Sequence, residues 1–222
     1  MRASLVRGLS PARAIDLLAR LKNDTGGLAL IEFAMTLPLF LTLALGGIEL
    51  ANLASAHMRV SQLAMTVADN AARVDPSIDE SDIEEIFAGA TLLGGKIDFN
   101  EHGRIILSSL QTNGMTGSDA GQMINWQRCM GDLGEPSQYG VEGAGRTDSS
   151  LAAGIGATGQ KIYASPSTAI MFVEVVYDYQ QLVPGDLFRR EIRYETAFNV
   201  RSRDTFDITN SSSPALSPRT CA

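Results

Sequence analysis

The chain has few of the residues on which most catalytic and metal sites depend. It contains two histidines, two cysteines and one tryptophan among 222 residues. His57 and His102 are far apart in sequence, and neither has a cysteine or carboxylate at metal-ligand spacing, so no metal site is predicted. No Gly-x-Ser-x-Gly elbow occurs, and the acidic residues form no convergent pair. We therefore predict no catalytic residue, no cofactor and no enzymatic activity.

Positive charge is also scarce, and much of it lies at the N-terminus. The chain has 18 basic and 25 acidic residues, a formal net charge of −7. Residues 1–27 hold five basic and two acidic residues, so the remainder has 13 basic and 23 acidic residues and a net charge of −10. Proteins that bind nucleic acid use clustered basic residues to neutralise phosphates. This balance excludes nucleic acid as a predicted partner.

One long apolar run dominates the N-terminal quarter of the chain. Residues 28–48 contain a single charged residue, Glu32. These 21 residues would form roughly 31 Å of helix, which matches a hydrocarbon core of about 30 Å. A single membrane-spanning helix is therefore predicted. Basic flanks remain on the cytoplasmic side of a membrane, and the sequence before the run is basic, so we expect the C-terminal part to be exported. The basic residues are Arg2, Arg7, Arg13, Arg20 and Lys22.

Glu32 is the unusual residue of this run. An acidic side chain in a spanning helix costs on the order of 2.5–3.5 kcal/mol at mid-membrane and less near an end, so a partner or a function is expected. The simpler alternative is a side chain that extends into the headgroups. Cleavage after Gly27 would remove the basic leader, make Leu28 the new N-terminus and place Glu32 at the fifth mature position. An ordinary signal-peptide cut among the small residues 51–56 stays open as an alternative.

A basic leader, a glycine, an apolar helix and a glutamate at the fifth position resemble the prepilin peptidase signal of the type IV pilin superfamily. Within that superfamily, Glu32-Phe33-Ala34 followed by Pro38 resembles the TadE-like pilus assembly proteins of the tight-adherence (Flp pilus) system. The resemblance covers about residues 26–75. Pro38 is predicted to kink the helix.

The resemblance implies a function and a set of partners. Prepilin peptidase would cut between Gly27 and Leu28, and Glu32 would meet a free α-amino group, either its own or that of a neighbouring subunit. The other implied partners are pilin-like subunits and the inner-membrane assembly platform. The chain would be a single-pass protein of the bacterial inner membrane with its C-terminal domain in the periplasm, in or at the base of a pilus. Its size implies a minor pilin or assembly subunit, because a major pilin of this system is little more than the helix.

A second hypothesis needs no pilus. In it the helix is only a tether, the leader stays uncleaved, and the periplasmic part is a binding or adhesion module. This hypothesis predicts that Glu32→Ala is tolerated.

The sequence after the membrane predicts an α+β fold of pilin-like architecture. Apolar residues recur at three- and four-residue spacing over 49–75, which indicates an amphipathic helical stem continuous with the membrane helix. Residues 76–222 form one extracytoplasmic domain whose antiparallel sheet is expected to pack on that stem. The expected elements are a helix over 81–92 opened by a capping box at Ser81–Glu84, a weak hairpin of 97–99 with 104–110, and two alternating strands near 171–179 and 191–200 joined by a type II turn at 183–186.

Two further features concern the exported part. The segment 131–159 is rich in glycine, serine and alanine, which predicts an irregular surface excursion rather than core. Cys129 and Cys221 both lie in the part expected to reach an oxidising compartment, so they are predicted to form a disulfide, with two free thiols as the alternative. Trp126 is expected to pack in the core near this bond.

Overall fold

The computed structural model describes residues 15, 19–20, 22, 25–185 and 190–221. The chain divides into two compact units, with the boundary between Ile48 and Glu49. A short 3-10 turn, Thr25–Gly27, leads into helix α1, Leu28–Arg73. By length and composition α1 could cross a membrane, because its most apolar window has a mean hydropathy of 2.1 and none of that window is buried.

The second unit contains one mixed set of short helices and strands. In chain order they are β1 (Ile78–Asp79), α2 (Glu80–Gly94), α3 (Phe99–His102), β2 (Gly103–Thr112), β3 (Gln122–Met130), β4 (Ile170–Asp178), β5 (Glu191–Asn199) and β6 (Ile208–Thr209). The main sheet has the order β3-β2-β4-β5, and every neighbouring pair is antiparallel. β1 and β6 form a separate parallel pair. A long apolar helix followed by an antiparallel sheet confirms the predicted α+β class.

The core lies between one face of the sheet and the second half of α1. Val60, Leu63 and Val67 are fully or almost fully buried, as their helical spacing predicts. They belong to one cluster with alternate residues of the strands, among them Leu107 and Val173. Burying an aliphatic side chain of this size contributes about 1.5–3 kcal/mol. This packing is therefore what joins residues 49–73 of α1 to the sheet.

The predicted strand at 97–99 is wrong. Gly95–Ile97 is a 3-10 turn, Asp98 adopts a left-handed conformation with φ of 47°, and Phe99 begins α3. The Phe99 side chain is buried and stacks on the ring of Tyr177 with 6.0 Å between centroids. It fits only because Gly94 and Gly103 lack side chains, since a Cβ on either would approach Phe99 to 2.6 Å or less. Burial of the Phe99 ring therefore determines the local backbone more strongly than the weak strand propensity of residues 97–99.

The capping box of α2 is present but lies two residues earlier than predicted. Asp79 is the N-cap and accepts a hydrogen bond from Ser81 N, while Asp82 Oδ2 accepts one from Asp79 N. Asp79 also accepts hydrogen bonds from the Thr209 hydroxyl and Ser211 N. Tertiary contacts with the C-terminal segment therefore favour Asp79 over the predicted Ser81 as the N-cap.

Two parts of the sheet layer differ from expectation. β3 was not predicted as a strand because its polar side chains conceal the alternation, and yet all nine of its residues are buried. The excursion 131–159 lacks regular structure, as predicted, but it is not all surface. Ile155 is fully buried in a smaller cluster with Leu110, Ile170 and Phe172. The excursion therefore contributes to a second core.

The C-terminal segment is fastened beside β3. Cys129 and Cys221 form a disulfide with an S–S distance of 2.09 Å, in agreement with the sequence prediction. Cys129 N donates to Arg219 O at 2.8 Å, and the Arg219 guanidinium forms two hydrogen bonds to Glu84 at 2.6 and 2.7 Å. Trp126 is buried in the main core and donates its indole N–H to Phe206 O at 3.0 Å. These contacts hold the C-terminal segment against the sheet and α2.

Candidate functional site

The start of α1 holds the residues predicted for processing and assembly. Gly27 is the last residue of the 3-10 turn, and Leu28 is the first residue of the helix. The peptide bond between them therefore lies at the boundary of the helix. Glu32 follows one turn later, on the same side as Leu28, because residues four apart are neighbours on a helix surface. Its side chain is exposed, like every residue from Gly26 to Leu43.

Pro38 lies within the helix and does not interrupt its assignment. A proline removes one backbone donor and so frees the carbonyl four residues earlier. The nearby hydroxyls bond elsewhere: Thr42 Oγ1 donates to Pro38 O at 2.8 Å, and Thr36 Oγ1 donates to Phe33 O at 3.2 Å. The kink at Pro38 stays a prediction.

A second glutamate on α1, not singled out by its sequence, has a more elaborate environment. Glu49 is the first residue after the apolar run and is fully buried. Its Oε1 accepts a hydrogen bond from the Tyr179 hydroxyl at 2.6 Å. Its Oε2 accepts one from Leu182 N at 2.9 Å and one from Val183 N at 2.8 Å. Three donors therefore converge on this carboxylate.

The surrounding groups favour the charged form of Glu49. The Tyr179 hydroxyl holds the pKa of the Glu49 carboxyl below its usual range, and the N–H groups of Val183 and Leu182 act in the same direction against the opposing effect of burial. Burial, together with the hydrogen bond to Glu49, raises the pKa of Tyr179 to about 12. Tyr179 thus stays a donor at physiological pH. Its oxygen also accepts from Asn52 Nδ2 at 2.7 Å.

This arrangement ties the stem to the segment that follows β4. Asn52 lies one turn after Glu49 on α1, so the helix contributes both a carboxylate and an amide to the same tyrosine. A second helix-to-sheet contact lies further along, where His57 Nδ1 and the Tyr194 hydroxyl are 3.3 Å apart. The cluster acts structurally, because both carboxylate oxygens of Glu49 and the Tyr179 hydroxyl form hydrogen bonds with other parts of the chain.

The one sequence feature that pointed to this cluster was the charged residue Glu49 directly after the apolar run. Tyr179, its principal partner, lies 130 positions away. The two backbone donors belong to a turn whose distance from α1 cannot be predicted from spacing along the chain. Only the fold reveals that these groups meet. The fourth residue of the predicted type II turn, Asp186, lies outside the described residues.

Among the described residues, no group of three or more histidine, cysteine, aspartate or glutamate side chains could hold a metal ion. The buried pair Arg128 and Glu80, with Nη2 and Oε1 at 2.5 Å, connects β3 to the start of α2. Arg128 Nη1 also contacts Glu142 at 2.9 Å. Paired in this way, the buried charges avoid the desolvation penalty that either would carry alone.

Residues 27–73 match the family model described as TadE-like protein. The match covers about a fifth of the chain and ends where α1 ends. It includes Gly27, Glu32, Pro38 and Glu49, and it confirms the resemblance drawn from the sequence. It indicates a role related to the tight-adherence pilus. No curated protein and no solved structure matches the chain.

Proposed function

We propose that this protein is a non-enzymatic minor pilin or assembly subunit of a tight-adherence pilus, and that prepilin peptidase cleaves it after Gly27. The observation that carries the proposal is the exposed Glu32, the only charge in the apolar run and the fifth residue after Gly27. The TadE-like match over residues 27–73 supports it.

Cleavage would create the partner that Glu32 needs. The new α-amino group of Leu28 would lie at a helix N-terminus, where the aligned backbone dipoles already carry partial positive charge. A carboxylate one turn away offsets both charges. In the low dielectric of a membrane this attraction is much stronger than in water. The same carboxylate can reach the α-amino group of a neighbouring subunit, which would set the axial register of two helices.

The apolar segment of α1 supplies the surface for lateral association. Large side chains such as Phe33, Leu39 and Phe40 are more than half exposed on it. In lipid, helices associate by van der Waals packing and polar contacts rather than by hydrophobic burial. We place the second unit, with its sheet and disulfide, on the periplasmic side of the inner membrane. There it would decorate or prime the structure that the helices build.

The test is the N-terminal sequence of the protein recovered from membranes with and without its prepilin peptidase. A chain that begins at Leu28 only when the peptidase is present supports the proposal. An N-terminus at Met1 in both preparations favours the tethered binding or adhesion module. A cut beyond Ile48 would mean a secreted domain and would rule out the pilus role.

A pair of glycine variants controls for general damage to the helix. A Cβ added at Gly27 or at Gly46 has no neighbouring atom within 4 Å, so the surroundings accept either substitution equally well. Gly27→Leu should retain the leader in the presence of the peptidase. Gly46→Leu should be processed like the unaltered protein.

A further inference from the structure

The segment Gln180–Gly185, which we name the junction loop, is bound to the first residue after the apolar run. Leu182 N and Val183 N both donate to Glu49 Oε2, at 2.9 and 2.8 Å. Within the loop, the Gln181 side chain donates to Gly185 O. The loop backbone therefore has a fixed position relative to Glu49.

The position of Glu49 in the chain determines what lies next to the loop. Glu49 directly follows Ile48, the last residue of the run that fits a hydrocarbon core. The polar layer on each side of that core is about 5–8 Å thick. Each residue adds about 1.5 Å along a helix, so Glu49 lies at the inner boundary of this layer. If residues 28–48 span the bilayer, chain continuity brings a loop hydrogen-bonded to this carboxylate close to the same layer.

The loop presents an apolar side chain that is largely exposed. Leu182 is 61% exposed, and Leu50, adjacent to Glu49 on α1, is 58% exposed. Pro184 and Gly185 are exposed as well. A leucine at this depth can enter the boundary between headgroups and acyl chains, where burial of its side chain is favourable.

We infer that the junction loop is a second membrane contact of this protein, with Leu182 inserted into the outer headgroup layer. The inference rests on the proposed membrane-spanning role of residues 28–48 and deepens it. Because the loop is bound to the residue that follows the spanning segment, the bilayer is next to the loop in every copy of the protein. A neighbouring subunit would reach the loop only after assembly. The hydrogen bonds of the Glu49 cluster would then hold the loop at the depth where Leu182 contacts lipid.

No residue of the junction loop is charged, so electrostatic attraction is not the main contribution to this contact. Lys96 and Asp98 line the cavity beside Leu182 and balance each other in charge. We therefore expect the loop to bind a neutral bilayer. This expectation sets the probe for the test, which is a nanodisc of phosphatidylcholine with no anionic lipid.

The test is quenching of tryptophan fluorescence by lipids brominated on their acyl chains. Three variants of the intact protein are compared: Leu182→Trp in the loop, Phe40→Trp in the apolar run and Met115→Trp beyond the far end of β2. β2 begins at Gly103, which pairs with Tyr177 near the Glu49 end, and its nine further steps place Thr112 about 30 Å away. The signal of Trp126, measured in the unaltered protein, is subtracted from each.

The inference predicts a distinct result for each variant. Phe40→Trp loses fluorescence with bromines near the end of the acyl chain. Leu182→Trp loses it mainly with bromines near the headgroup, and Met115→Trp loses none. A Leu182→Trp signal that matches that of Met115→Trp, while Phe40→Trp is quenched, overturns the loop contact and leaves the spanning helix intact. An unquenched Phe40→Trp overturns the spanning role itself.

Two further results also decide the matter. A blue-shifted Leu182→Trp spectrum without quenching by brominated lipid would mean that protein covers the loop, which overturns the inference. If Leu182→Trp does not fold, Pro184→Trp, exposed in the same loop, takes its place under the same criteria.

Discussion

Glu32 and Glu49 lie on the same helix and have opposite surroundings. Glu32 is exposed within an apolar segment. Glu49 is fully buried and accepts hydrogen bonds from a hydroxyl and two backbone N–H groups. A buried charge is tolerated when donors of its own chain surround it. A charge facing lipid has to find its partner on a chain terminus or another molecule. The surroundings of Glu49 indicate a role in folding, and the exposure of Glu32 agrees with its proposed role in assembly.

The largest expected effect compares two leucines of α1. Leu63 is fully buried against the sheet, whereas Leu43 is 68% exposed in the apolar segment. Leu63→Ala should lower the free energy of unfolding of the exported unit by about 2–5 kcal/mol, because it leaves a cavity. Leu43→Ala should leave it unchanged. The measurement is denaturant unfolding in detergent, followed by the fluorescence of Trp126. Equal losses in both variants would contradict the division of α1 into a lipid-facing half and a core half.

A smaller effect is expected at Glu49. Glu49→Gln replaces one acceptor oxygen by an NH₂ group that faces donors, so the contacts with the loop weaken while the shape is kept. The Tm of the exported unit should fall, by less than in Leu63→Ala. The matched control is Glu32→Gln, the same change on the same helix, which should not alter the Tm. A normal Tm for Glu49→Gln would show that the carboxylate does not support the fold.

The effect of acid pH on the Tm through the Glu49 carboxyl should be smaller still. The folded chain holds the pKa of this carboxyl below its ordinary value, which is about 4.3 in an unfolded chain. Its stabilisation is therefore fully present above the ordinary pKa and is lost as the pH falls through the folded pKa. The difference in Tm between the unaltered protein and Glu49→Gln should be constant near neutral pH and should narrow below about pH 4. A difference that widens on acidification would contradict the assignment.

Much of the fold could be predicted because it depends on periodicity within single segments. The spacing of Val60, Leu63 and Val67 revealed the buried face of α1, and strict alternation revealed β4 and β5. β3 could not be predicted, because its buried polar residues find partners distant in sequence: Gln127 Nε2, for example, donates to Ser108 Oγ at 2.9 Å. Propensity also failed where one buried ring, Phe99, determined the local backbone.

The candidate site could also be predicted only in part. Glu32 was found because a charge in an apolar run is conspicuous, and its spacing from Gly27 is local. The role of Glu49 was missed because its meaning depends on Tyr179, Leu182 and Val183, all of which follow it by 130 positions or more. A charged residue with no partner in its own chain can be recognised from its sequence context. A charged residue whose partners are distant in its own chain cannot.

If Glu32 acts in assembly and not in folding, its replacement should remove pili and leave the protein itself intact. The most direct measurement is the number of surface pili, counted by electron microscopy, in cells whose only copy of this protein carries Glu32→Gln. We predict that the variant reaches the membrane in normal amount, begins at Leu28 and keeps a normal Tm, while pili are lost. Normal piliation with a stable, correctly processed Glu32→Gln protein would contradict the account and leave Glu32 as a side chain that merely reaches the headgroups.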